Sequence, residues 1–249
     1  MMRLTGDVEL AEGLPLLYIK SLDTIVCSDL HLGYEGVMAS RGSFVPKLNF
    51  RKIKEMMMKA SKAFGAKTVI VVGDIKNEFA DVHVEEFNEF REFIGFLRKE
   101  LGIGRIILIK GNHDNFIDRF RQALGFEIFA QETLLGDYLF FHGEELPKGK
   151  GGKTLVMGHL HPAIAVYNKV GVKEKIKCFL YGQIDDGRNI VILPAMNYFA
   201  EGVDVNQEHL EKMAPIFDSM LDVDEMKALC LGEDEILDFG KVGKLRKLR

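Results

Sequence analysis

The chain has 249 residues, 47% of them hydrophobic and 28% charged, with a formal net charge of -4. Charges that nearly cancel, beside plentiful Val, Ile, Leu and Phe, exclude global disorder, and the length is ample for a sizeable core. No apolar run approaches the ~18 residues that cross a bilayer, and a pI near 6.0 gives no general nucleic-acid footprint.

The N-terminus is acidic within seven residues and holds no apolar segment, so no secretory signal is expected and the cytoplasm is the expected compartment, without a membrane partner. Short β-branched runs ending in polar or Gly-rich stops predict strands at 24–27, 68–72, 106–109, 138–141, 155–157, 176–181 and 189–193. Near-continuous apolar strands of this length suit the centre of a sheet covered on both faces. Between the early strands, Leu48, Ile53, Met56 or Met57, Ala60 and Phe64 share one helical face. Val84, Phe87, Ile94, Leu97 and Leu101 share another. The run Met56-Met57-Met58 reads as core and rim of the first helix. A strand-rich stretch follows from about residue 134 to 194, and the whole predicts an α/β sandwich with mixed sheets. Residues 207–238 read as two short acidic helices, followed by a basic end holding Lys241, Lys244, Arg246, Lys247 and Arg249. The expected organisation is one domain over 1–206, with 207–249 as a small helical appendage packed on it.

Three widely spaced cysteines, Cys27, Cys178 and Cys230, suit a reducing compartment rather than a disulfide framework or zinc ribbon. The seven histidines are more informative. Five of them directly follow predicted strands, in Asp29-Leu30-His31, Gly111-Asn112-His113-Asp114, His142-Gly143 and Gly158-His159-Leu160-His161; the 68–72 strand leads likewise into Gly73-Asp74. Loops at one edge of a sheet converge, and the i and i+2 side chains of Asp-x-His and His-x-His point the same way. The glycines before Asp74, Asn112 and His159 remove a side chain where backbone must turn or approach closely. Carboxylates, imidazoles and one amide without thiolate suit a borderline-to-hard divalent ion. Seven donors are too many for one ion and about right for two sharing an Asp, an arrangement that activates water and clamps phosphorus. His83 and His209 sit in helical contexts and read as surface or helix-end residues.

As an ordered set, these motifs resemble those of the calcineurin-like metallophosphoesterases, over residues 24 to 162. The resemblance implies a sandwich of two mixed β-sheets flanked by α-helices. It implies one metal held by Asp29, His31, Asp74 and His161, and a second by Asp74, Asn112, His142 and His159. The ions would be divalent, Mn first, with Fe, Zn or Ni also suited. His113 would not ligate but would act at the leaving group, with Asp114 orienting His113 or a backbone turn. Ser28-Asp29-Leu30-His31-Leu32-Gly33-Tyr34, Arg41-Gly42 and Pro46 are similar to the ligase-associated DNA-repair phosphoesterases and to archaeal SbcD-related proteins. Ile75-Lys76-Asn77-Glu78-Phe79 stands where protein phosphatases usually have Asp-Arg-Gly, which argues against that activity. The larger repair nucleases add a DNA-capping domain, for which 249 residues leave no room.

Residues 147–154 imitate a phosphate-binding loop, but Pro147 replaces its first glycine and the segment leads into a strand. Because it lies between His142 and His159, Lys148, Lys150 and Lys153 are candidate contacts to a phosphate backbone, as are Tyr34 and Arg41. The expected function is a di-metal phosphodiesterase acting on nucleic acid or a nucleotide, with a DNA-repair protein as the implied partner class. The alternatives are a small-nucleotide or cyclic-nucleotide phosphodiesterase, or a non-catalytic scaffold of the same fold.

Overall fold

The computed structural model of the chain describes residues 2–79 and 82–246. In the first sheet β1 (Met2–Arg3), β2 (Val8–Leu10), β3 (Leu17–Ile19) and β4 (Thr24–Cys27) form an antiparallel meander. Then β5 (Thr68–Val72), β6 (Arg105–Ile109) and β7 (Glu127–Phe129) continue it in parallel. Parallel neighbours need crossovers, supplied by α1 (Tyr34–Ser40) and α2 (Asn49–Phe64), then α3 (Val84–Lys99), then α4 (Arg121–Leu124). The second sheet holds β8 (Glu132–Leu135), β9 (Tyr138–Phe141), β10 (Thr154–Met157), β11 (Pro162–Tyr167), β12 (Lys173–Gln183), β13 (Asn189–Ile192) and β14 (Val203–Asp204). Its order is β14-β11-β12-β13-β10-β9-β8, with β9, β10 and β13 parallel. Every predicted strand is present, matched to within one residue or contained in a longer one.

The two sheets face one another. Val26, Ile70, Val72, Ile107 and Ile109 of the first pack with Phe140, Val156, Phe179 and Val191 of the second, all fully or almost fully buried. Each such side chain contributes about 1.5–3 kcal/mol by leaving water. On the outer face of the first sheet lie Ile53 and Met57 of α2 and Phe90, Phe93, Ile94 and Leu97 of α3. Met56 is partly buried and Met58 is 38% exposed, so the triplet is core and rim as expected. Val84 is 73% exposed: the inner face of α3 runs through Phe90 and Phe93 rather than from its first residue. His83 is the N-cap of α3, and His209 is exposed.

Residues 207–238 differ from the two helices expected. Short turns at Leu210–Lys212, Ile216–Ser219 (α5) and Val223–Glu225 lead into a hairpin of β15 (Lys227–Leu231) and β16 (Ile236–Lys241), and α6 (Val242–Leu245) closes the described chain. β15 pairs with β12, placing Cys230 opposite Cys178. The acidic residues that imitate a helix do other work: the Asp222 carboxylate caps one turn, and Asp224 and Glu225 pair with Arg246 and Lys241. Lys247 and Arg249 lie outside the described residues. Leu210, Ala214, Ile216, Phe217, Val242 and Leu245 share one buried cluster with Leu155, Met157 and Ile190, covering the outer face of the second sheet.

Candidate metal centre

The C-terminal ends of β4, β5 and β6 in one sheet and of β9 and β10 in the other meet at a single edge of the sandwich. Asp29 and His31 follow β4, Asp74 follows β5, Asn112 and His113 follow β6, His142 follows β9, and His159 and His161 follow β10. The pairing of strands extends into these loops, because Asp29 and His31 donate their N–H groups to the carbonyls of Gly73 and Asp74, both at 3.0 Å. Asp29, His31, Asp74, His159 and His161 have φ between 45° and 65°. Asp and His tolerate this left-handed region better than most residues, but it still costs about 1–3 kcal/mol each and clusters at functional sites. Gly73 shows how tightly the loops approach: at φ 81° it is already left-handed, and a Cβ there would lie 1.9 Å from His142 Nδ1. At Gly111 a Cβ would lie 2.3 Å from Asp74 Oδ1.

Three donor triads result among the described residues: Asp29 with His31 and His161, Asp74 with His142 and His159, and a third that joins His31 and Asp74 to His113. In the first, His161 Nε2 lies 3.2 Å from Asp29 Oδ1 and 3.4 Å from His31 Nε2. In the second, His142 Nε2 lies 3.3 Å from Asp74 Oδ2 and 3.3 Å from His159 Nδ1. Asp74 Oδ2 is also 3.8 Å from His31 Nε2, so this carboxylate stands between the triads. Main-chain carbonyls set the outer ring nitrogens. His142 Nδ1 is 3.1 Å from the Val72 carbonyl and His159 Nε2 is 3.1 Å from that of Met213. A carbonyl only accepts, so each ring keeps a proton on its outer nitrogen, and the inner one, His142 Nε2 or His159 Nδ1, is the nitrogen an ion would take.

Burial alone would raise the Asp74 carboxyl, yet His142, then His31 and His113, hold it far below the usual carboxylate range. Asp29 is likewise held low against its burial by His161 and His142. The same pairing, led by Asp74, overcomes burial at His142 and pushes it up to about 10, while burial pushes His31 down to about 4. Divalent cations fit this set. They would replace the proton on His142 as the charge that balances two buried carboxylates, and they would satisfy Asn112 Oδ1, which is buried without a hydrogen-bond partner.

His113 stands beside the triads. Its Nε2 is 3.8 Å from Asp74 Oδ2, its N–H donates to Asp74 Oδ1 at 3.0 Å, and its Nδ1 lies 2.5 Å from the Asn77 carbonyl. Asp114 does not touch the ring. It accepts the N–H groups of Ile75, Lys76 and Gly111 and so fixes the backbone turn, the second of the two expected roles. Several supporting groups carried no sequence signal. The Asn77 and Met213 carbonyls are main chain. Lys177, which burial pushes down to about 8, donates to the carbonyls of Ala195 and Asn197 at 3.0 and 2.5 Å. It thereby ties down the loop whose Asn197 N–H bonds the Asp29 carbonyl at 3.0 Å.

The candidate substrate contacts divide. Tyr34 opens α1 and stacks on Phe199, and Arg41 pairs with Glu78 at 2.5 Å, both close by in the chain to site residues. Lys148 donates to Gln131 at 2.9 Å beside the segment that leaves His142. Lys150 and Lys153 are not brought to the centre. Lys153 pairs with Asp137, at the start of β9, and Arg188 holds the carbonyls of Gly149 and Gly151 just before β13. Since β9 and β10 are parallel, the segment joining them must return to the opposite end of the sheet, roughly 13 Å from the histidines.

A sequence model of the family described as calcineurin-like phosphoesterase matches residues 22–185. No curated protein matches. Among solved structures, nuclease MPE of Pseudomonas putida is similar with a TM-score of 0.63 at 16% identity, covering 95% of this chain and 98% of that one. YfcE, a phosphoesterase from E. coli, gives a TM-score of 0.43 at 18% identity, covering 88% of this chain and 98% of that one. The first of these likenesses shows a shared fold.

Proposed function

The chain belongs to the calcineurin-like phosphoesterase family and is a metal-dependent hydrolase of phosphoesters; from that premise we propose that it cleaves a phosphodiester of nucleic acid or a nucleotide, with two divalent ions, Mn first. The observation that carries this reading is the pair of donor triads with the Asp74 carboxylate between them and His113 alongside. Asp29, His31, Asp74 and His161 would hold one ion, and Asp74, Asn112, His142 and His159 the other. Such a pair supplies Lewis acidity and a nucleophilic water at neutral pH. As an imidazolium, His113 would be the proton or hydrogen-bond donor to the departing oxygen, from Nε2, with the Asn77 carbonyl holding Nδ1–H and orienting the ring.

Charge favours a diester over a monoester. Arg41 pairs with the Glu78 carboxylate, while Lys76 and Lys177 donate to main-chain carbonyls, so these three cations are already engaged. A dianionic monoester calls for more positive charge than a singly charged diester does. No helix among the described residues is long and apolar enough to cross a membrane. That one solved neighbour of this fold is named a nuclease is in keeping with a nucleotidyl substrate.

The test is hydrolysis of bis(4-nitrophenyl) phosphate against 4-nitrophenyl phosphate in Mn, with Asp74→Asn as control. We expect the diester to be cleaved faster and the variant to lose about three orders of magnitude or more. Monoester preference would make the protein a phosphatase. Inactivity on both, with two ions bound, would leave a non-catalytic scaffold.

A further inference from the structure

Phe79 is 50% exposed, yet it is not on a loose loop. Its carbonyl accepts from Asn115 Nδ2 at 2.9 Å, and its N–H donates to Glu78 Oε1 at 3.0 Å. The two residues before it are fixed by the fully buried Glu86, whose Oε1 accepts the N–H groups of Asn77 and Glu78 at 2.9 and 2.5 Å. Glu86 therefore acts on both sides of one strap. It sets the Asn77 carbonyl against His113 and it sets the direction in which Phe79 leaves the loop.

The phenyl ring lies on the His113 imidazole, with centroids 3.6 Å apart and planes tilted by 33°. One side of the ring is thus used, while the residue as a whole remains half exposed. An apolar ring kept half in water against the imidazole assigned above to the leaving oxygen offers a surface to the next part of a leaving group. A planar, weakly polar substituent gains most there, because a base of any identity presents a π-face to an aromatic ring.

We propose that Phe79 is the stacking surface for the nucleobase of the leaving nucleoside, which makes the site selective for diesters whose leaving-side base is unpaired and tolerant of which base it is. This rests on the diester reading above and names a recognition element within it.

The experiment compares four dinucleotide probes cleaved by the Mn-loaded protein. Two carry both bases. In the other two, one or the other residue is replaced by an abasic tetrahydrofuran analogue, so that the leaving alcohol keeps its chemistry while its base is removed. The readout is the ratio of kcat/KM for base-containing over abasic substrate. In the wild type we expect a ratio of roughly 10 to 100 for removal on one side only. Phe79→Leu should bring it close to one, and Phe79→Trp should keep or raise it. A ratio that stays the same in Phe79→Leu, even where both rates fall together, would mean that the ring only positions His113 and would overturn the proposal. A wild-type ratio near one on both sides would overturn it as well. Failure to cleave any dinucleotide while bis(4-nitrophenyl) phosphate is hydrolysed would instead overturn the nucleotidyl reading on which the platform stands.

Discussion

Asp74 and His113 are 3.8 Å apart and their substitution should have different consequences. The carboxylate stands between the two triads, so its loss removes a donor from both. The imidazole touches that carboxylate and forms a further cluster with His31 and Asp74, which would also be compatible with a ligand role. The two roles separate in one measurement. His113→Gln should lower kcat on a diester with an alkoxide leaving group by roughly 10²–10⁴, while elemental analysis still finds two ions per chain. Loss of an ion together with activity would make His113 a ligand. The proposed donors are legible in sequence because each follows closely on a strand with an apolar run. Their orienting partners were not, since the carbonyls of Val72, Asn77 and Met213 belong to residues whose side chains say nothing about them.

Between elements, the packing of α1 on α3 places an acid where it is costly. Glu89 of α3 accepts the N–H of Gly33, just before α1, at 2.7 Å. Burial, then the nearby Glu35 and Glu85, pushes its carboxyl up to about 7 against the Gly33 hydrogen bond. A folded-state value raised above 4.5 means that the folded protein binds this proton more tightly than the unfolded chain does. The contribution to stability is therefore complete below about pH 4.5 and is lost as pH rises towards 7. Glu89→Gln, which can still accept from Gly33, should melt like the wild type near pH 4.5 but be more stable at pH 8 by roughly 1–2 kcal/mol after allowance for solvent screening. Equal stability of the two proteins at pH 8 would show that the carboxylate is not strained there. At this scale most long buried strands were readable, β11 being missed where it starts at Pro162 directly behind the His161 motif, whereas β1 to β3 and β7 have only two or three residues each and give too short a pattern to recognise. β15 and β16 were hidden for a different reason: their apolar residues are embedded in acidic sequence that serves as turn caps and ion-pair partners. Lys150 and Lys153 misled because nearness in sequence to two ligands does not survive a parallel connection.

For the molecule as a whole, five donors in left-handed backbone and two buried carboxylates make the edge of the sandwich a region that cations should stabilise. Each ion at a thousandfold excess over its Kd contributes about 4 kcal/mol, and about 2–4 °C accompanies each kcal/mol at this chain length. Removing metal with a chelator should therefore lower Tm by roughly 10 °C or more, reversed by Mn but not by Na. A Tm indifferent to both treatments would show that the site binds no ion tightly.

The pairing of β15 with β12 and the contact from His159 to the Met213 carbonyl have a consequence for biosynthesis. All seven proposed donors have been synthesised once residue 161 is made, and the first sheet is complete with Phe129. The acceptor that orients His159, the outer cover of the second sheet and the strand beside Cys178 all belong to residues 210–245 and are translated after them. Until that segment follows, a nascent chain lacks the cover for the apolar outer face of β9 and β10, and the acceptor that orients His159. Aggregation during synthesis and metal capture after release are, for this fold, two effects of the same late segment.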